Sequence, residues 1–158
     1  MNVLDSLLWG CVGAIVLTTL MATGRWLRLT RMSIPFMLGT MLTADLDRAR
    51  VYGFAMNLVA GWLLAFVYVA AFESWGVAGW WRGAGIGLIH ALAVLVAGMP
   101  VLPGLHPRMA SERQGPTPTR LLEPPGFLAL NYGRRTPLAI IAAHLAYGAI
   151  LGTFYRVT

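Results

Sequence analysis

The stretch YGFAMNLVAGWLLAFVYVAAF, residues 52–72, decides the class of fold. It contains no charged side chain. At a helical rise of about 1.5 Å per residue, it is long enough to cross the roughly 30 Å hydrocarbon core of a bilayer. Three further stretches of the same character, at residues 4–23, 83–102 and 137–155, bring the number of predicted membrane-spanning helices to four.

The composition of the whole chain agrees with this interpretation. Of the 158 residues, 58% are hydrophobic and only 11% are charged, whereas an average soluble domain has about 25% charged residues. A soluble chain of this length could not bury so much apolar surface. We therefore expect an all-α membrane protein with a single transmembrane domain, residues 1–158, in which four helices form an antiparallel bundle.

The positions of the basic residues predict the orientation. All twelve are arginines, and two of them, Arg82 and Arg156, lie on one side of the predicted membrane. The other ten lie on the two loops of the opposite side: Arg25, Arg28, Arg31, Arg48, Arg50, Arg108, Arg113, Arg120, Arg134 and Arg135. Cytoplasmic loops carry such an excess, so both termini are predicted to be periplasmic. The same clustering beside apolar runs argues for lipid headgroups and against nucleic acid.

Both of these loops are predicted to have internal structure. Residues 33–44 are apolar but too short to span, and Ser33 with Pro35 predicts the start of an interfacial helix. Asp45 and Asp47 are expected to begin a helix that continues unbroken into the second span. Residues 103–136 are rich in proline, which excludes long helices. Within them, PPGFLALNYG (residues 124–133) is expected to pack on the bundle or on a partner.

Small residues recur at every fourth position on three spans. The second span carries Gly53, Asn57, Gly61 and Ala65; the third carries Gly83, Gly87 and Ala91; the fourth carries His144, Gly148 and Gly152. Such faces allow helix backbones to approach closely in lipid. Tight helix packing is therefore the favoured interpretation, and a pore lining is the alternative.

Polar groups inside the spans are few, and they are the usual indicators of function in membrane proteins. The main candidates are Asn57, His90 and His144, and the weaker candidates are Tyr68 and Tyr147. Two histidines raise the hypothesis of a haem b site, which requires both imidazoles at one membrane depth. Helical rise instead predicts an offset of about 10 Å between His90 and His144. Asn57 and His144 fall at similar depths, so a hydrogen-bonded Asn57–His144 pair is favoured.

Motifs of catalysis are missing from the sequence. There is no P-loop, no HExxH and no nucleophile with a base at a recognisable spacing. His106, expected to be the most accessible histidine, has no second metal ligand near it, so no metal site is predicted. These observations favour a non-enzymatic protein.

Four segments together resemble a group of small, functionally uncharacterised four-span bacterial integral membrane proteins. They are MLGTMLTADLDRARVYGFAMNLVAGW, GMPVLPGLHPRMA, PPGFLALNYGRRTP and AAHLAYGAILGTFY. The resemblance covers most of the chain from Met32 onward. It implies a bacterial inner-membrane location and assigns no activity or site residue.

The favoured function is that of an accessory or structural subunit packing against a larger membrane complex. One alternative is a redox anchor that binds haem b through His90 or His144. Another is a carrier of a lipid or small molecule in a cavity near Asn57 and His144. The residues expected to contact anionic lipids or a partner subunit are Arg25, Arg28, Arg31, Arg134, Arg135, Phe127 and Tyr132.

Overall fold

The computed structural model describes residues 1–111, 115–120 and 122–158, and within them it contains helices and no β-strand. The five helices are α1 (Val3–Trp26), α2 (Ile34–Leu42), α3 (Leu46–Trp75), α4 (Trp80–Leu105) and α5 (Thr136–Phe154), and a 3₁₀ segment covers Phe127–Tyr132. All except α2 are long and apolar enough to cross a membrane. The prediction of four such helices is confirmed.

The predicted start of α3 is confirmed in detail. Asp45 caps the helix, because its carboxylate accepts hydrogen bonds from the backbone N–H groups of Asp47 and Arg48. The helix then continues without a break for 30 residues and ends at Gly76, whose φ of 66° suits a glycine. Ser33 does occupy the residue before α2, but its side chain makes no capping hydrogen bond.

The helix α4 changes its winding in its second half. Residues Val94–Gly98 form a π-helical turn, and the N–H of Met99 donates to the carbonyl of Val94. Pro100 follows directly and has no N–H to donate. A widened turn relieves the clash between a proline ring and the preceding turn, so we attribute the π turn to Pro100. Within this turn Leu95 is buried, whereas Val96 is exposed.

The outward faces of the long helices are apolar. Large hydrophobic side chains such as Leu4, Leu63, Ile89 and Leu138 are each at least 65% exposed. Soluble proteins seldom present continuous apolar surface of this kind. Trp26 lies exposed at the end of α1, and Trp75, Trp80 and Trp81 lie exposed around the α3–α4 turn.

The loop after α4 folds back onto α2 through His106 and Arg108. His106 is buried, so the expectation that it is the most accessible histidine is wrong. Its Nε2 donates to the carbonyl of Met37 at 2.9 Å, and its Nδ1 accepts the backbone N–H of Arg108 at 3.1 Å. The Arg108 guanidinium donates to the Thr40 carbonyl near the end of α2 at 2.7 Å. His106 is therefore a structural residue.

The 3₁₀ segment packs on the bundle by one face. Ala129 and Tyr132 join the hydrophobic core, whereas Phe127 is 61% exposed. Leu128 and Ala129 both have positive φ angles, which are uncommon for residues other than glycine. The Tyr132 hydroxyl donates to the Glu123 carbonyl at 2.8 Å. Residues 124–133 thus pack on the bundle through Ala129 and Tyr132 and leave Phe127 exposed.

Candidate ligand cavity

Glycines fix the alignment of α4 with α5. A methyl group added at Gly83 would overlap the carbonyl oxygen of Gly148, and one added at Gly87 would overlap the carbonyl oxygen of His144. Residue numbers therefore rise along α4 as they fall along α5. All ten positions of the small-residue stripes are buried, as expected for packing faces.

A similar alignment joins α1 to α3. A Cβ added at Gly10 would meet the Ala65 side chain, and one added at Gly61 would meet the Ala14 side chain. At the next contact, four residues after Ala14 on α1 and four residues before Gly61 on α3, the amide Nδ2 of Asn57 donates to Thr18 Oγ1 at 2.7 Å. These contacts show the same four-residue step on both helices.

The short helix α2 is held against the start of α3. A Cβ at Gly39 would overlap the Ala49 carbonyl, and a Cβ at Gly53 would overlap the Pro35 carbonyl. This contact places Ile34 and Leu38 of α2 beside the centre of the bundle.

A cavity of about 160 Å³ lies where these helices meet. Every helix contributes to its wall, and most of the lining is aliphatic. The polar or aromatic members of the lining are Asn57, His90, His144 and Tyr147. Val94 of the π turn and Met99, which follows it, also line the cavity, so the irregular turn of α4 helps to shape it.

The two intramembrane histidines are neighbours. The His90 and His144 rings meet edge to face, with their centroids 4.6 Å apart. The predicted offset in depth is therefore wrong. It was based on span ends, whereas the contact between Gly87 and the His144 backbone sets the relative position of the two helices and leaves His90 about one turn away.

Each imidazole has one nitrogen engaged with the protein. His90 Nδ1 lies 3.0 Å from the Tyr68 hydroxyl. His144 Nδ1 lies 2.8 Å from the Ile140 carbonyl, one turn earlier on the same helix. Among the residues that the structure describes, neither Nε2 atom has a hydrogen-bond partner.

Asn57 and His144 share the cavity and do not bond each other. Asn57 donates to Thr18, whose hydroxyl in turn donates to the Ala14 carbonyl at 2.7 Å. His144 is held by Ile140. The predicted pair therefore lines one space, with a separate hydrogen-bond partner for each member. Thr18 could have been found from the register of α1 and α3.

The residues present do not fit a haem. Two axial histidines must lie on opposite faces of the porphyrin, but the His90 and His144 rings touch each other. The cavity is close to the size of an engineered cavity of about 150 Å³ that accommodates benzene. A macrocycle of four pyrroles is far larger than benzene and exceeds this space.

Two of the predicted contact residues, Arg31 and Tyr132, contact each other. The N–H of Arg31 donates to the Tyr132 carbonyl at 2.8 Å, and Arg31 also pairs with Glu123 at 3.1 Å. All five arginines predicted as contacts are exposed: Arg25, Arg28, Arg31, Arg134 and Arg135. Phe127 is exposed as well, but Tyr132 is only 9% exposed. Tyr132 is thus an internal residue and not a surface contact.

Burial raises the pKa of the Tyr132 phenol, and the neighbouring Glu123 carboxylate raises it further, while Arg31 opposes both effects. The phenol therefore remains protonated and continues to donate to the Glu123 carbonyl in neutral and mildly alkaline solution.

Comparison of the chain with protein-family models, with curated proteins and with solved structures finds no match. The interpretation of the cavity consequently depends on its own geometry.

Proposed function

We propose that this chain is a non-enzymatic, multi-pass protein of the bacterial inner membrane that holds a small, mainly apolar molecule at its centre. The observation that carries the proposal is the cavity between the helices. Its volume is about 160 Å³ and its wall is mostly aliphatic. Asn57, His90 and His144 add a few polar groups, as is typical of ligand sites.

The proposed setting is an antiparallel four-helix bundle with both termini periplasmic. It is supported by the positive-inside pattern, in which ten of twelve arginines fall on two loops. The helix α2 then lies at the cytoplasmic interface, where Ile34 and Leu38 cover the cavity from that side. Exposed tryptophans at both ends of the long helices agree with two interfacial belts.

Binding of toluene to the purified protein in mild detergent tests this proposal. Toluene should raise the unfolding temperature of the wild type in a concentration-dependent way, because a ligand that binds only the folded state stabilises it. Ala60→Leu places a larger side chain at the cavity wall and should abolish the effect. Ala55→Leu is the matched control, since Ala55 lies exposed on the same helix. Equal behaviour of all three proteins would contradict the proposal.

A second candidate function, that of an accessory subunit, is favoured by the exposed side chains of the 3₁₀ segment. Phe127 is 61% exposed and Leu130 is 45% exposed, and exposed arginines flank them. An apolar ridge with a basic rim suits a protein surface of opposite charge. Phe127→Ser should release a membrane partner without changing insertion. Leu138→Ser, on the exposed face of α5, should leave the partner bound.

A further inference from the structure

We infer that the cavity selects a ligand with a hydroxyl group on a ring-sized apolar body, and that the two free Nε2 atoms of His90 and His144 recognise that hydroxyl. This inference rests on the proposed function, because it names the chemistry of the molecule held in the cavity. It follows from the tautomers that the neighbouring hydrogen bonds impose on the two rings.

The tautomer of His144 is set by a carbonyl group. A carbonyl oxygen can only accept, so the 2.8 Å contact with Ile140 requires a proton on His144 Nδ1. The neutral ring then has a lone pair on Nε2. His144 therefore presents a hydrogen-bond acceptor at the wall of the cavity.

The tautomer of His90 is set by a hydroxyl group. Tyr68 is 1% exposed, and in the described part of the chain His90 Nδ1 is the only hydrogen-bond partner of its hydroxyl. Buried hydroxyl groups donate their proton where an acceptor is available. Tyr68 thus donates to His90 Nδ1, and the proton of the neutral His90 ring lies on Nε2. His90 presents a donor.

A donor and an acceptor are therefore carried by two neighbouring rings, with centroids 4.6 Å apart, that both line the cavity. A hydroxyl group can satisfy both at once, since it donates one hydrogen bond and accepts another. An ether or a ketone would satisfy only His90, and a hydrocarbon would satisfy neither. Such a site discriminates against analogues that leave its polar groups unpaired.

The volume limits the body of the ligand. A cavity of about 160 Å³ is close to the size of an engineered cavity of about 150 Å³ that accommodates benzene. A phenol ring matches this volume, and the aliphatic lining suits the rest of the ring. The chemical class is therefore a phenol or a similarly compact alcohol.

Three probes of similar size separate this inference from the proposed function: phenol, which donates and accepts; anisole, which only accepts; and toluene, which does neither. Affinities are measured for the detergent-solubilised protein and expressed per concentration in the micelle phase. Phenol should bind on the order of tenfold more tightly than toluene, as expected for one to two neutral hydrogen bonds. Anisole should fall between them. Equal affinities would overturn the inference and leave the proposed function standing, whereas no binding of any probe would overturn both.

The tautomers are tested directly with ¹⁵N-histidine NMR on the same protein. With the His106 signals assigned by a His106 variant, the expected spectrum shows His144 protonated at Nδ1 and both His90 and His106 protonated at Nε2, with the free Nε2 signal of His144 shifting when phenol is added. The same tautomer in His90 and His144 would overturn the inference.

A matched pair of variants tests the role of Tyr68. Tyr68→Phe removes the donor to His90, so His90 can move its proton to Nδ1 and the preference for phenol over toluene should fall to about twofold or less. Tyr155→Phe removes a hydroxyl that donates to the Glu73 carboxylate, in the same hydrophobic cluster but outside the cavity lining, and should retain the preference. Toluene binding by both variants shows that each is folded. Loss of the phenol preference in both, or in neither, would overturn the assignment.

Discussion

The close approach of α4 and α5 can be tested at a single glycine. In Gly83→Ala, the new methyl group would overlap the backbone of Gly148 on the opposing helix. Backbone atoms cannot turn away as a flexible side chain can, so the two helices must separate. Inserting a methyl group into a closely packed site costs about 1–3 kcal/mol.

The control is Gly85→Ala, two residues along the same helix. A Cβ at Gly85 meets no atom within 4 Å. Both variants gain the same intrinsic preference of alanine over glycine for a helix, about 1 kcal/mol in water. This contribution cancels between the two variants, so the difference in their free energies of unfolding reports the overlap alone. We expect Gly83→Ala to be less stable than Gly85→Ala by about 1–3 kcal/mol.

The assay is reversible unfolding in mixed micelles, followed by far-ultraviolet circular dichroism. Gly148→Ala offers a second test from the other side of the contact, because its methyl group would overlap Gly83. If Gly83→Ala and Gly85→Ala differ by less than about 0.5 kcal/mol, which is near the limit for unspecific surface changes, the close contact and the register based on it are refuted.

Three further predictions concern topology and the inner loops. A reporter fused after Thr158 should read as periplasmic and one inserted at Gly115 as cytoplasmic; the reverse pattern would contradict the arginine argument. His106→Ala should lower the free energy of unfolding by about 1–3 kcal/mol, because it removes the hydrogen bonds to the Met37 carbonyl on α2 and to the Arg108 N–H in the loop. A neutral result in chemical denaturation would refute its structural role. Burial raises the pKa of Tyr132, so as pH rises the phenol loses its proton in the unfolded state before it does in the folded state. The free energy of unfolding should therefore fall as pH rises above about 10, and Tyr132→Phe should lack this part of the pH dependence.

The number of long helices could be predicted because hydropathy and length are local properties. The 21 uncharged residues at 52–72 identify α3 without any knowledge of its neighbours. The helix start at Asp45 was equally local, since an aspartate cap depends on the next three residues. Such features need no tertiary information.

The arrangement of the site depends on tertiary contacts, and there the prediction failed in part. The depth of His90 and His144 was taken from uncertain span ends, and α4 begins at Trp80, earlier than expected. The small-residue stripes contained the better signal. Aligning Gly83 and Gly87 with Gly148 and His144 in opposite directions would have placed the two histidines together.

The burial of His106 could not be read from the chain around it. The sequence near it contains prolines and an arginine, which is typical of an exposed loop. Its hydrogen-bond partners lie on α2, almost 70 residues earlier. The inward position of Tyr132 could not be predicted either, because the positive-φ backbone of the 3₁₀ segment has no sequence signature.

The most direct test of the central claim is the content of the cavity in protein extracted gently from its own membrane. An experimental density map should show a compact organic molecule beside Leu64 and Val94, with a polar atom within hydrogen-bond distance of His144 Nε2. A cavity that holds only isolated water, or that is closed by its lining side chains, would contradict the proposal that this protein holds a ligand.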